Sequence, residues 1–274
     1  MVALIVYLTH KKMLRILSAA LSLLLIALTA TAQRVVSLLP SATYTAAQIG
    51  ADANFIGRTS YCPEPLPGTQ STTIGDAMTV NLESIIALRP DVVIVSPFTP
   101  QTVTSKLKSL KIKVVEIATA KDLNELDKQT EEIGALTNHQ QEALANVKTE
   151  HTKVDSLAAA TMWTRGKKVY IQIGTHPLWG ATPDYYINDL TARLGMTNVL
   201  AAEEGPCSRE TVLQRGPDVI IVSSMGGLGK EEAAEWAKLT KATVIVVDET
   251  TLCCPTPTFF RKTMEQICKG DQRK

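Results

Sequence analysis

Buried-strand and amphipathic-helix patterns alternate along this chain from Arg34 to Cys268. Continuous β-branched runs at Val92 to Val95 and Val219 to Val222 show no polar alternation. Such runs predict strands covered on both faces of a parallel sheet. Each run is entered through the same punctuation. Asn81-Leu82-Glu83 and later Pro90-Asp91 precede the first, and Ser208-Arg209-Glu210 and later Pro217-Asp218 precede the second. Every landmark recurs 127 residues on, from 81 to 208, from 83 to 210 and from 91 to 218. Asn81 and Ser208 are N-caps, whose side-chain oxygens accept from free amides of the first turn. Glu83 and Glu210 put negative charge at the positive end of each helix dipole. Pro90 and Pro217 end the helices. A repeat of this length, in register, argues for two lobes built on one plan.

The same periodicities fill in the rest. Short apolar strands are predicted at Arg34 to Leu39, Asn54 to Gly57, Lys113 to Ile117, Lys168 to Ile173 and Thr243 to Val247. Helices are predicted from Pro40 (with Ser41 as cap), and near Gln101 to Leu110, Tyr185 to Leu194, Glu231 to Leu239 and Thr258 to Cys268. Strands alternating with helices give a parallel sheet in each half. Thr59 to Thr73, Gly174 to Asp184 and Asp248 to Pro257 read as loops. Between the halves, Leu123 to Met162 has no proline and one glycine, Gly134. Its apolar residues recur at helical spacing, so it is one long helix, or two joined near Thr137-Asn138. The expected fold is α/β, with two Rossmann-like lobes, a parallel sheet in each and a ligand cleft between them. The lobes are expected at 33–120 and 165–274, with a connector at 121–164.

Residues 1–32 are not counted in that fold. Lys11, Lys12 and Arg15 precede an apolar run from Ile16 to Leu28, and Ala30-Thr31-Ala32 makes an A-x-A cleavage site. That is the pattern of a secretory signal peptide, starting at Met1 or Met13. The run is short for a membrane span. Export predicts a periplasmic location, where disulfides persist. Five cysteines, Cys62, Cys207, Cys253, Cys254 and Cys268, leave at least one free or paired in trans. The net charge of the whole chain is +1, and loss of the leader leaves acidic residues slightly in excess. No footprint for nucleic acid results.

Ligands of open α/β sheets bind beyond the carboxyl ends of the strands. The loops at those ends hold Ser41, Tyr61, Cys62, Phe98, His176, Trp179, Cys253 and Cys254, the candidate ligand-binding residues. Tyr61 and Trp179 offer stacking surfaces. Cys62, His176, Cys253 and Cys254 are soft-metal donor types, but without metal-ligand spacing. The alternative is a disulfide within the second lobe, Cys207 or Cys268 with Cys253 or Cys254, which leaves Cys62 unpaired. No metal site, cofactor or catalytic residue is assigned. Gly226-Gly227-Leu228-Gly229-Lys230 fails the phosphate-loop pattern at both ends, and no convincing triad or G-x-S-x-G stands out. Glu83 and Glu210, matched between the lobes, form a pair of anionic knobs suited to a two-fold symmetric partner.

Several of these segments carry a resemblance. They are Arg34-Val35-Val36-Ser37-Leu38-Leu39-Pro40-Ser41-Ala42-Thr43, Gly57 to Tyr61, Asn81-Leu82-Glu83 through Asp91, Tyr170-Ile171-Gln172-Ile173-Gly174 and Ser208-Arg209-Glu210. Together they resemble the periplasmic solute-binding proteins of ABC importers for cobalamin, siderophores and haem, most of all the cobalamin-binding members. The resemblance covers nearly all of the chain beyond the leader. It implies lobes joined by one long rigid helix, with a corrinoid or iron-chelate ligand between them. It also implies a monomer that delivers this ligand to a dimeric ABC permease in the inner membrane. In that family the lobe glutamates meet permease arginines, a role that falls here on Glu83 and Glu210. The expected function is transport without catalysis. The competing readings are an exported binder of a metal ion or thiolate-ligated metal complex, an exported metal-dependent enzyme using Cys62, His176 and Cys254, or a sensor domain.

Overall fold

The computed structural model describes residues 33–62, 71–76, 79–201, 204–224 and 227–270. The leader expected at 1–32 lies outside the described residues, as does Gly226. The first half contains β1 (Val35–Ser37), α1 (Pro40–Gln48), β2 (Phe55–Arg58), β3 (Thr72–Thr73), α2 (Leu82–Ala87), β4 (Val92–Val95), α3 (Gln101–Ser109) and β5 (Lys113–Glu116). Its strands pair in parallel, in the order β3-β2-β1-β4-β5. A connector of α4 (Leu123–Thr137) and α5 (Gln140–Ala160) follows. The second half contains β6 (Lys168–Thr175), β7 (Leu178–Gly180), α6 (Tyr186–Arg193), β8 (Thr197–Asn198), α7 (Arg209–Arg215), β9 (Val219–Ser223), α8 (Gly229–Leu239), β10 (Thr243–Val247), α9 (Glu249–Cys253) and α10 (Pro257–Cys268). Its order is β10-β9-β6-β7, with β8 also on β6, and among the described strand pairs only the β6–β7 hairpin is antiparallel.

The sequence repeat does the same structural work in both halves. Asn81 Oδ1 accepts from the Ser84 amide at 2.9 Å, and Ser208 Oγ from the Thr211 amide at 3.2 Å. The aspartate after each proline anchors the start of the neighbouring strand. Asp91 Oδ2 accepts from the Arg34 amide and Asp218 Oδ2 from the Lys168 amide, both at 2.8 Å. Those bonds fix the pairings Val35 with Val92 and Val169 with Val219. Both sheets are buried on both faces, as the β-branched runs require. Val35, Val92 and Ile94 pack on one side of the first sheet, and Val36, Val93 and Val95 on the other. In the second sheet Val169, Ile171, Val219 and Ile221 face one cluster, and Tyr170, Ile220 and Val222 the other.

The connector is two helices, so the single long helix of the expected fold is replaced by its alternative. Asn138 adopts the left-handed conformation, φ 61°, which stops α4 although the apolar period runs on. The chain then doubles back. A Cβ on Gly134 would lie 2.6 Å from that of Ala143, so the glycine permits the helices to touch. Further along, His151 Nε2 meets Asp127 Oδ2 at 2.5 Å. This hairpin spans both lobes. Ile133, Leu136 and Ala143 join the core of the first sheet, while Leu123, Leu126 and Val154 join that of the second.

Three local readings change. Ser41 is not the cap of α1: Leu39 holds that position with no side-chain cap bond, and Pro40 opens the helix. Part of the loop at Asp248 to Pro257 is α9, because Asp248 Oδ1 accepts from the Thr251 amide at 3.0 Å. The strand at Lys168 runs on to Thr175 and folds back into β7 through a cis His176–Pro177 turn.

Candidate functional site

Two joined cavities lie between the lobes. The first, about 390 Å³, is walled by the end of β1 and start of α1 (Leu38 to Ser41), the loop after β4 (Ser96 to Phe98), the segment after β5 (Ile117 to Ala120) and Gln129. Cys253 and Pro255 close it from the second lobe. The second, about 250 Å³, shares Thr119, Cys253 and Pro255 and adds Ile173, Tyr185, Tyr186, Ile187 and Leu252. Both lie beyond strand carboxyl ends, where such folds bind ligands. Their described lining includes no Asp, Glu, Lys, Arg or His. Polarity comes from Ser41, Ser96, Thr119, Tyr185, Cys253 and Gln129, whose Nε2 donates to the Ala118 carbonyl at 2.9 Å. The site is therefore apolar with a few neutral hydrogen-bonding groups, the usual make-up of a small-molecule pocket.

Of the eight residues singled out in the sequence, Ser41, Phe98 and Cys253 line this cleft. Phe98 is 71% exposed, a ring held free at the mouth. Tyr61 is equally exposed but outside the cavity walls. His176 is exposed on the β6–β7 turn. Trp179 packs over Gly205, where a Cβ would meet its ring at 2.7–2.9 Å, and also lines neither cavity. Cys62 is buried against Thr43 Oγ1 at 3.1 Å and Thr59 Oγ1 at 3.2 Å. All five cysteines are free. The disulfide expected within the second lobe is absent: Cys207 lies by the Tyr170 hydroxyl at 3.3 Å, and Cys268 by Thr161 Oγ1 at 3.0 Å. Among the described residues no three His, Cys, Asp or Glu side chains converge as for a metal ion.

Cys253 is exposed as a residue, yet its thiol is enclosed by the cavity wall. Burial, then Glu249, pushes it up to about 11, against a bond from Ser223. Burial, then the Cys253 thiol, pushes Cys254 up to about 12. Both are neutral thiols at physiological pH. Their helix is pinned from below by the buried Tyr186 hydroxyl, which donates to the Leu252 carbonyl.

Two sets of side-chain contacts, one across the lobes and one within the second, were not legible in the sequence. Tyr44 of α1 stacks edge-on against Phe259 of α10, with centroids 4.8 Å apart. A four-residue network also links β6 to α7. Trp236 Nε1 donates to Gln172 Oε1 at 2.6 Å, and Gln172 Nε2 to Glu232 Oε2 at 2.9 Å. Arg209 Nη2 donates to the same Glu232 oxygen at 2.8 Å, its guanidinium 4.8 Å from the Trp236 ring. Arg209 is the first residue of α7, so the network fixes the helix that carries Glu210. Glu83 and Glu210 are both exposed. A helix that feeds a parallel strand starts at the carboxyl edge of its sheet, so both glutamates stand on the rim that bears the cleft. The Glu210 amide and the Ser208 hydroxyl hold the Glu210 carboxylate below its usual range.

A model of the family described as periplasmic binding protein matches residues 35–245. A vitamin B12-binding protein of Pectobacterium atrosepticum is 26% identical over 226 residues, covering 79% of this chain and 81% of that one. The periplasmic vitamin B12 binding protein of Vibrio cholerae superposes with a TM-score of 0.73 at 22% identity, covering 89% of this chain and 99% of that one. A periplasmic haem binding protein of Vibrio cholerae superposes with a TM-score of 0.75 at 19% identity, covering 86% and 98%.

Proposed function

The chain belongs to the periplasmic binding protein family, and on that premise we propose that it captures a corrinoid between its lobes and delivers it to an ABC permease. The observation that carries the ligand class is the uncharged lining of the cleft. Haem brings two propionates and ferric siderophores commonly carry negative charge. Neither finds a cation among the described lining residues, and burying an unpaired charge is strongly unfavourable. A corrinoid presents a broad ring and a fringe of neutral amides. Phe98 offers the ring an apolar face, and Ser41, Ser96 and Thr119 offer the amides hydroxyl partners. Relatives named as vitamin B12-binding proteins support the same class.

Delivery falls to Glu83 and Glu210. They are exposed, occupy equivalent first-turn positions and rest on helices fixed by the same cap and aspartate anchor. A pseudo-symmetric pair of carboxylates suits two equivalent basic pockets of a permease dimer. The chain works as a monomer, exported after cleavage behind Ala32, with its lobes at 33–120 and 165–274. Tyr61, His176 and Trp179 are exposed outside the cavity walls and, like Cys62 and Cys254, are assigned no contact with the ligand.

The test is titration of the purified chain with cyanocobalamin, haemin and a ferric siderophore, followed by calorimetry. Cyanocobalamin should bind at one-to-one stoichiometry and more tightly than the other two. Binding of haemin or the siderophore without cyanocobalamin would refute the corrinoid assignment.

A further inference from the structure

Each lobe carries an exposed aromatic ring, outside the cavity walls, at the carboxyl edge of its sheet. Backbone bonds tie each ring to the segment that enters the glutamate helix of the same lobe. In the first lobe Tyr61 stands in the turn after β2, and the Ser60 amide fastens that turn by donating to the Gly75 carbonyl at 2.8 Å. Gly75 pairs in turn with Val80, and the Asn81 amide donates to the Ile74 carbonyl at 3.0 Å. Asn81 caps α2, which carries Glu83. In the second lobe Trp179 of β7 lies opposite Gly174, near the end of β6, and on its other side pairs with Pro206. There the Gly180 amide donates to the Gly205 carbonyl at 2.8 Å, and the Cys207 amide to the Leu178 carbonyl at 3.1 Å. Ser208, next in the chain, caps α7, which carries Glu210. Gly205 seats one edge of the Trp179 ring.

The two lobes thus repeat more than a carboxylate. On each rim a flat ring accompanies the glutamate, and a short ladder of the same kind holds both. Chain reach keeps the Cα atom of each ring residue no more than about 25 Å from that of its glutamate. An interface of about 800 Å² per partner is broader than that, at roughly 30 Å across. We propose that Tyr61 and Trp179 are docking contacts, so that each lobe presents a ring and a carboxylate together to one half of the two-fold symmetric permease. The partner chemistry they fit is an arginine-bearing surface, because a guanidinium pairs with carboxylates and stacks on aromatic faces. Tyrosine and tryptophan are large, stiff side chains that lose little freedom on contact, and they are enriched among residues that carry binding energy. The proposal rests on the docking role given above to Glu83 and Glu210. Every backbone bond named lies within one lobe, so the surface is formed before a ligand arrives and docking needs no corrinoid.

The experiment measures binding of the full exported chain, without corrinoid, to phosphatidylethanolamine–phosphatidylglycerol liposomes that hold its cognate ABC importer, and to the same liposomes without it. The parent should bind only the first. Tyr61→Ala and Trp179→Ala should each weaken binding about tenfold, the size of an interface hot spot. The double variant should weaken it about a hundredfold, since separated sites add. Tyr61→Phe and Trp179→Phe should keep most of the parental affinity. Trp179→Leu, which keeps an apolar seat on Gly205 without a ring, should weaken binding as alanine does. Met162→Ala, at an exposed position in the loop that enters β6, should bind like the parent. Circular dichroism checks that each variant is folded. Parental affinity in the alanine double variant, with binding lost in Glu83→Lys with Glu210→Lys, would overturn the proposal and leave the glutamates standing. Equal binding to the empty liposomes would point to a lipid surface and overturn it, and a parent that binds neither would overturn the rings and the glutamates together.

Discussion

Glu150 clamps the connector to the second lobe, and Glu150→Gln tests how firmly. The side chain is 6% exposed on α5 and accepts from Arg261 Nε of α10 and from Lys153 Nζ at 3.3 Å. Arg261 is 11% exposed and also donates to Glu265 at 2.6 Å. Glutamine keeps the shape but removes the charge facing the guanidinium. Removing one partner of a buried pair destabilises by about 3–5 kcal/mol. Glu265 remains as a partial counter-charge but is itself 39% exposed, so about 2–3 kcal/mol is expected by the same reasoning. For a chain of this size that lowers Tm by about 4–12 °C. Replacing both members, Glu150→Leu with Arg261→Met, should recover most of the loss, because no charge is left stranded. Urea unfolding followed by circular dichroism reads both values, provided the slopes match the parent. A single variant within about 0.5 kcal/mol of the parent, the range of ordinary surface substitutions, would refute the reasoning. So would a double variant less stable than the single.

Three further outcomes follow from named groups. Cys253 and Cys254, pushed up to about 11 and about 12, should react with iodoacetamide at pH 7.5 far more slowly than a free cysteine peptide; equal rates would contradict their burial. Burial raises Asp127 above 3.8 despite its bond to His151, so the folded state holds that proton more tightly than the unfolded state. Its contribution is fully present below pH 3.8 and is lost as pH rises through the higher folded value, so the stability of the parent relative to Asp127→Asn should decline with rising pH, and a difference that grows would sink the assignment. Glu83→Lys with Glu210→Lys should abolish cobalamin uptake by cells while cyanocobalamin affinity stays at the parental value; unchanged uptake would remove the docking role.

The repeat was legible because each landmark has a local cause: a cap, a dipole charge, a proline stop and an aspartate anchor recur in both halves. The connector was only half legible. Apolar spacing continues through Thr137-Asn138, and a left-handed asparagine leaves little trace in a periodicity. Ser41, Phe98 and Cys253, which stand just past strands, are the singled-out residues that line the cavity. Thr119, Ile173, Tyr185 and Pro255 were missed, since an apolar or weakly polar residue in a cavity wall reads like one in the core. Trp179 drew attention as a large loop aromatic, but the missing Cβ of Gly205 gives it a packing partner.

A crystal structure of the chain soaked with cyanocobalamin tests the central claim most directly. The account predicts one corrinoid between the lobes, touching Ser41 and Phe98 on one side and Cys253 and Pro255 on the other, with Glu83 and Glu210 uncovered on the rim. A corrinoid bound elsewhere, or one that covers either glutamate, would contradict it.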